Sequence, residues 1–509
     1  MRIPLDRESP VPLYTQIEQH LRDKILSGAL PVGTKLPSSR QLATSLGVNR
    51  ITVTNAYAEI EAEGLIYTRL GSGTFVAEST GMQRFQKQQI DLMQAPPPWQ
   101  QAILRRFQVP SQERLERLAA SASPPSDLIN FAEGHGPEEL FPAADIAKAL
   151  FTVLRRDGNQ IGGYGDYAGY RPLRATIVHI LASQGIPADP DEILITSGAQ
   201  QALALVASLL IRTGDAVLVE NPTYSTAIDL FTTLGAHLVG VPVDEQGMQV
   251  EQVEELLRTV HPSLIYTIPT FQNPSGTCLS GTRRRLLVHL AARYNVPILE
   301  DEFVGDLRYE GHAQPALKAL DPGGQIIYLG TFSKVLMPGL RLGYLVASGP
   351  IYDRLLQWKR INDLACSNLI QRALEAYITV GKYEAHLHRA CRVYRPRRDA
   401  MLSALKRYLP AGTRWYTPQG GLFIWLHLPP GTTVEMLYPL AMRAGVEFMP
   451  GSLCYTNKNN DAHARLTFAM HPPDRIEEGI QRLGQAMTRC LTLQESIQPA
   501  VIPDESVDC

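Results

Sequence analysis

The sequence predicts a multidomain chain: a helix-turn-helix with a β wing, then an α/β domain accompanied by a smaller α+β domain. Three observations predict it. Residues 36–66, LPSSRQLATSLGVNRITVTNAYAEIEAEGLI, hold two helical patterns split at a glycine. From Leu128 onward, short apolar β runs alternate with helical stretches, the pattern of a parallel sheet flanked by helices. The 509 residues are also more than one core usually organises.

The elements follow in order. Leu13, Ile17, Leu21 and Ile25 recur at helical spacing, with Pro12 before them and Gly28 after. Ser38 and Ser39 are N-cap candidates for a short helix ending at Gly47, and a second helix spans about Asn49 to Glu63. LIYTRL and GTFVAE, joined by Gly71-Ser72-Gly73, read as a hairpin. These elements set a first domain at 1–78. Residues 79–127 are rich in Gln, Pro and Ser and read as a linker, with one amphipathic helix expected around 99–120. The third part spans 128–494. Its large domain (about 142–378) holds the runs EILITS, AVLVENP, SLIYTIP, VPILEDE, QIIYLGT and LGYLVAS. Its small domain combines 128–141 with 379–494, including a long charged helix from Lys382, the strands GGLFIWLHL and ARLTFAM, and a last helix at 475–491. Residues 495–509 are expected to be a disordered tail.

Composition excludes several classes. Hydrophobic residues make up 44% and charged residues 19%, an ordinary soluble balance. No apolar run approaches the ~20 residues of a membrane span. The start MRIPLDRESPVPL lacks a signal-peptide core, so a cytoplasmic protein is expected. Cys278, Cys366, Cys391, Cys454, Cys490 and Cys509 are scattered without a CxxC pair, which argues against disulfides and a metal site. The net charge is −2, and the first 80 residues balance eight Lys/Arg against eight Asp/Glu. Double-stranded DNA binding must therefore rest on where charges sit.

That placement is specific. Asn49, Arg50, Ile51 and Thr52 open the second helix, where a recognition helix meets base edges. Arg50 can fork onto a guanine, worth roughly 1–3 kcal/mol of discrimination. Arg40 and Thr52 can hold phosphates. Gly71 and Gly73 allow a tight wing tip, while Val53, Tyr57 and Ile60 face the core. The stretch resembles the GntR-type winged helix nearly end to end. The resemblance implies DNA contacts at Arg40, Asn49, Arg50, Thr52 and Gly73.

The later strands carry a second chemistry, that of pyridoxal 5′-phosphate (PLP). It needs a lysine for Schiff-base formation, a carboxylate on the ring nitrogen, and donors for the phosphate. Lys334 follows the strand QIIYLG within Thr331-Phe332-Ser333, at the sheet edge where α/β proteins bind ligands. Asp301 ends VPILED as the pyridinium partner. Arg341, Thr331 and Ser333 suit the phosphate. So do the N–H groups of Gly198, Ala199 and Gln200 in TSGAQQAL, at a helix start. Tyr224 can stack on the ring, Asn273 can donate to its O3′, and Arg465 can clamp a substrate carboxylate with two parallel bonds.

This ordered set resembles the class I/II aminotransferases of PLP fold type I over about 128–490. That resemblance places Tyr164 on the phosphate of the neighbouring subunit. It also implies a tyrosine shortly after the pyridinium aspartate, where this chain has Glu302-Phe303-Val304. Ser225 and Thr226 follow Tyr224, with no arginine to hold a distal carboxylate, which argues against γ-aminobutyrate. A GntR-type winged helix joined to such a domain resembles the MocR-type regulators. This implies a head-to-tail homodimer, with PLP and an amino-acid or amine ligand as effectors. The leading expectation is a PLP-dependent transcription regulator. The alternative is a working aminotransferase with an accessory DNA-binding domain. A third reading, a cofactor-free dimerisation platform, conflicts with intact Lys334 and Asp301.

Overall fold

The first helix, Leu13–Leu26, buries Ile17, Leu21 and Ile25, the stripe its sequence spacing required. In the computed structural model of this chain, residues 3–7, 9, 11–69, 71–77, 97–106, 109–120, 124–457 and 462–495 are described. Residues 79–96, 107–108 and 121–123 of the proposed linker lie outside them, as does the proposed tail beyond its first residue, Glu495, which ends a helix. The chain divides into two units, Met1–Phe107 and Gln108–Cys509.

In the first unit, the helix Ser39–Leu46 starts from a capping box between Ser38 and Gln41 and stops at Gly47, whose φ of 63° is the left-handed turn glycine favours. Helix Arg50–Ala62 follows, with Val53, Ala56, Tyr57 and Ile60 buried. The Tyr57 hydroxyl donates to the carbonyl of Pro37 at 2.8 Å, tying helix Arg50–Ala62 to the segment before helix Ser39–Leu46. Strands Ile66–Arg69 and Gly73–Val76 pair antiparallel in the register Ile66↔Val76, which makes the wing.

Helical structure at 98–120 differs from the single helix expected. Pro98–Arg106 and Pro110–Ala120 are two helices, each opening on a proline, the residue suited to a first turn and not to a helix interior.

The second unit is built on an eight-stranded sheet in the order Ile193–Thr196, Gly343–Val346, Ile326–Thr331, Ile298–Glu302, Leu264–Thr267, Ala216–Asn221, His237–Asp244, Gly247–Met248. The sheet is mixed, which corrects the all-parallel pattern. Gly343–Val346 runs antiparallel to both neighbours. The connection from Thr331 to Gly343 is too short for the helical crossover a parallel strand needs, so the chain turns straight back. Alternation of apolar residues carries no information on direction. Strand His237–Asp244 is an addition to the expected set: Gly240 and Pro242 mask its pattern, and on the side away from Ala216–Asn221 it meets only the two-residue strand Gly247–Met248, which leaves Pro242 near the sheet edge.

A four-stranded sheet gathers Arg414–Trp415, Phe423–His427, His463–Thr467 and Met449–Pro450 in that order, with Trp425 opposite Arg465. Ile129–Asn130 pairs parallel with Val446–Glu447. Helices Lys382–Tyr408 and Pro473–Glu495 accompany this sheet. No helix among the described residues is long and apolar enough to cross a membrane.

Ile60 is fully buried in the first unit's core. We expect Ile60→Ala to destabilise that unit by about 2–5 kcal/mol. Calorimetry should resolve this as a lowered transition of the first unit with the second unit's transition unmoved.

Candidate functional site

Two sets of side chains carry chemistry, one in each unit. In the first unit Asn49 caps the recognition helix, accepting from the Ile51 N–H at 3.0 Å, so its carbonyl oxygen is engaged and its amide nitrogen is left for an outside partner. Arg50 lies against Ser39, with Nε 3.4 Å from the Ser39 hydroxyl. Arg40 is on the preceding helix and Thr52 in the first turn of the recognition helix. Gly73 has φ +115°, and a Cβ there would meet Lys35 Cε at 2.8 Å, so glycine lets the Lys35 side chain lie along the wing. Lys35 Nζ stands 5.8 Å from the Phe75 ring centre, and the Arg69 guanidinium 5.4 Å from that of Tyr67.

These wing cations were missed in the sequence, where a lone lysine and a lone arginine carry no pattern. Ile51, expected at the base-reading end of this helix, is 66% exposed there, an apolar group fit for a thymine methyl. The neutral count resolves into opposite ends. Arg22 is paired with Glu18 and Glu63, whereas Lys35, Arg40, Arg50 and Arg69 make no ion pair among the described residues.

In the second unit the C-terminal ends of the central strands open on a cavity of about 420 Å³. Ala199, Gln200, Tyr224, Asn273, Asp301, Thr331, Ser333, Lys334, Arg341 and Arg465 line it. Gly198 sits behind the lining as N-cap of helix Ala199–Leu210, with φ +88°. Tyr164 lies outside this cavity and is 76% exposed.

Asp301 is only 6% exposed. Its Oδ2 accepts from the Tyr266 hydroxyl at 2.7 Å, and its Oδ1 is buried without a partner. Burial pushes its carboxyl up to about 6, against the pull of that hydrogen bond. Ser333 Oγ is likewise buried and unpartnered, while the Ser333 N–H donates to Thr331 Oγ1 at 3.1 Å. Arg341 reaches across to the turn before the helix, donating from Nη2 to the Ser197 carbonyl at 3.1 Å. A Cβ on residue 198 would sit 3.0 Å from that Nη2. Burial lowers the affinity of Lys334 for its proton, and Arg465 and Arg341 lower it further.

Arg465 Nη1 donates to Asn273 Oδ1 at 2.9 Å and Nη2 to the Ala132 carbonyl, leaving Nε buried without a partner. Its guanidinium lies 4.2 Å from the Phe423 ring centre. The bond to Arg465 fixes Asn273 with its amide nitrogen as the free end. The loop is held from below by Glu220, which accepts from Thr267 Oγ1 at 2.6 Å and Gln272 Nε2 at 3.0 Å, and whose carboxyl burial pushes up to about 7. Glu220 and Tyr266 were passed over in the sequence. The visible sign was a polar residue inside an apolar strand run. Phe303 lines the cavity and lies nearly parallel to Phe423, centroids 6.2 Å apart. No group of His, Cys, Asp and Glu among the described residues is arranged to hold a metal ion.

Comparison with known proteins matches residues 126–483 to the family aminotransferase class I and II, and residues 13–76 to the bacterial regulatory proteins of the gntR family. The chain is 32% identical to the uncharacterized HTH-type transcriptional regulator YdfD of Bacillus subtilis, over 93% of this chain and 96% of that one. It is 30% identical to the probable rhizopine catabolism regulatory protein MocR of Rhizobium meliloti, over 95% of both. Among solved structures it is similar to the kynurenine aminotransferase of Pyrococcus horikoshii, in complex with PMP, at 35% identity and a TM-score of 0.71, covering 77% of this chain and 96% of that one.

Gly198 combines φ +88° with ψ 169°, a region closed to other residues at a cost of about 1–3 kcal/mol. Gly198→Ala should therefore lower the second unit's Tm and weaken its binding of inorganic phosphate, both readable by calorimetry.

Proposed function

The chain belongs to the aminotransferase class I and II family and carries a winged helix of the gntR family at its front, and from that premise we propose that it is a transcription regulator. In this reading the first unit binds operator DNA, and the second holds PLP together with an amino acid or amine effector. The observation that carries it is the match to regulators of the same two-part plan along nearly their whole length.

The cavity meets the cofactor's demands through its unmet ones. Asp301 Oδ1 has no partner, and a pyridinium N–H supplies one. Ser333 Oγ, Arg341 and the N–H groups of Gly198, Ala199 and Gln200 suit a phosphate at a helix N-terminus. Tyr224 offers a ring for stacking, and Asn273 its amide nitrogen for O3′. When bound, PLP supplies a reactive carbonyl and an electron sink. The protein's own work is positioning and proton handling. Lys334, its proton affinity lowered by burial and by Arg465 and Arg341, gives up its proton more readily than a solvated lysine and can move a proton at Nζ. Arg465 keeps its unpartnered Nε–H and the second N–H of each Nη for an effector's carboxylate, beside the Phe303 and Phe423 rings. Phe303 brings no hydroxyl to the ring, which favours holding an effector over rapid exchange of amines.

A homodimer fits the exposed apolar side chains of the second unit. Ile361 is 75% exposed, and Tyr164, Phe151, Leu154 and Leu364 are exposed as well. Two subunits would present two DNA heads to spaced half-sites and would set Tyr164 at the partner's phosphate. The surroundings are those of the cytoplasm, where both DNA and PLP are met. Transamination is the second reading, supported by the likeness to the P. horikoshii enzyme and by the intact Lys334, Asp301 and Arg465.

Absorbance titration of the whole chain with PLP, then with a panel of amino acids, tests the proposal while operator binding is followed in parallel. A band that Lys334→Ala abolishes, shifting with an amino acid and altering DNA affinity without keto-acid release, is the expected result. Steady keto-acid production would favour the enzyme instead. The Asp301 carboxyl, raised to about 6 by burial, must lose its proton to receive a pyridinium. PLP affinity should consequently be full above that pH and fall about tenfold per unit below it, with Asp301→Asn abolishing the dependence. Operator affinity should drop steeply with salt, and Arg50→Ala should cost about 1–3 kcal/mol of specificity in a gel-shift comparison of operator and random DNA.

A further inference from the structure

The turn that would receive the phosphate is gripped from both sides, and only the front grip, Arg341, belongs to the cavity. Behind it, the Ser197 N–H donates to Gln201 Oε1 at 2.7 Å. Gln201 Nε2 donates to Asp363 Oδ2 at 2.7 Å, and Asp363 Oδ1 receives Lys359 Nζ at 2.8 Å. Lys359 is 0% exposed. An ammonium buried so completely costs several kcal/mol unless paired, and Asp363 pairs it.

Gln201 stands at the third position of helix Ala199–Leu210. A glutamine there ordinarily reaches back to the N–H of the capping residue. Here it reaches one residue further, to Ser197, and Gly198 has no side-chain cap. The consequence is chemical. The Ser197 N–H is satisfied inside the protein, and the N–H groups of Gly198 and the first helical turn are left for an anion.

The far end shows the same tension. Asp363 closes helix Pro350–Asp363, and Leu364 follows at φ 60°, ψ −70°, with the Ala365 N–H on the Asp363 carbonyl at 2.7 Å. This is a tight turn that a branched side chain adopts only under constraint. The Asp363 carboxylate, held by Lys359, Gln201 and more distantly by the Cys366 thiol, supplies that constraint.

We propose that Gln201, Asp363 and Lys359 form a positioning relay that sets the Ser197–Gly198 turn in its phosphate-accepting shape. None of the three touches the ligand. The proposal rests on the PLP reading above, and its specific content is selectivity for the phosphate group.

The test compares PLP with pyridoxal, which has the same ring and carbonyl without the phosphate, by absorbance titration of the full chain. Gln201→Met leaves the Lys359–Asp363 pair intact, and Asp363→Asn keeps the volume of the buried site, so either variant suffices if circular dichroism shows the other unfolded. We expect the Kd for PLP to rise about tenfold in each, the scale of one misplaced hydrogen-bonding group, with the Kd for pyridoxal unchanged. If the wild type binds PLP but both ligands weaken equally in the variants, or neither does, the relay is overturned and the cofactor reading stands. A wild-type chain with no PLP-dependent band overturns both.

Discussion

The geometry of the second unit hangs on one short connection. Between Thr331 and Gly343 the chain has no room for a crossover helix, so strand Gly343–Val346 returns antiparallel and inserts between Ile326–Thr331 and Ile193–Thr196. Its register sets Gly343 opposite Thr196. A Cβ on Gly343 would lie 2.8 Å from the Gly198 carbonyl carbon, so a glycine there is what permits the Ser197–Gly198 turn to close against the strand. The same connection carries Lys334 and Arg341. One steric constraint thus brings the amine, the guanidinium and the open helix N-terminus to a common cavity.

Around that framework, buried polar groups divide into satisfied and unsatisfied ones. Glu220 bonds Thr267 and Gln272, Gln201 bonds the Ser197 turn, and Tyr266 bonds Asp301. Asp301 Oδ1, Ser333 Oγ and Arg465 Nε stay buried without partners. A native protein tolerates such groups where a ligand completes them. These three unmet groups belong to residues that line the one cavity where chemistry is proposed, while others such as Thr432 Oγ1 and Ser452 Oγ lie elsewhere.

The first unit solves a different electrostatic problem. Its first 80 residues hold equal numbers of acids and bases, so the winged helix has no net charge to draw it to DNA. Placement decides the matter: Arg22 pairs with Glu18 and Glu63, whereas Lys35, Arg40, Arg50 and Arg69 make no ion pair among the described residues. Presentation of two heads by the proposed dimer would raise affinity above that of one head.

Local signals were legible in the sequence because they act over a few residues. Ser38 and Gln41 as a capping box, Gly47 as a left-handed stop and the two glycines of the wing specify the first unit's elements directly. The chemical residues Lys334, Asp301 and Arg341 announced themselves by type and by their place after apolar runs. The tertiary structure decided what depends on contacts between distant segments. The antiparallel insertion of Gly343–Val346, the break between the helices Pro98–Arg106 and Pro110–Ala120, the strand hidden by Pro242 and the cations of the wing were beyond local reading. So was the chain from Ser197 through Gln201 and Asp363 to Lys359, which joins residues 162 apart in sequence at its longest bond. Periodicity records which face of an element is apolar; it cannot record which partner that face, or a buried polar atom on it, will meet.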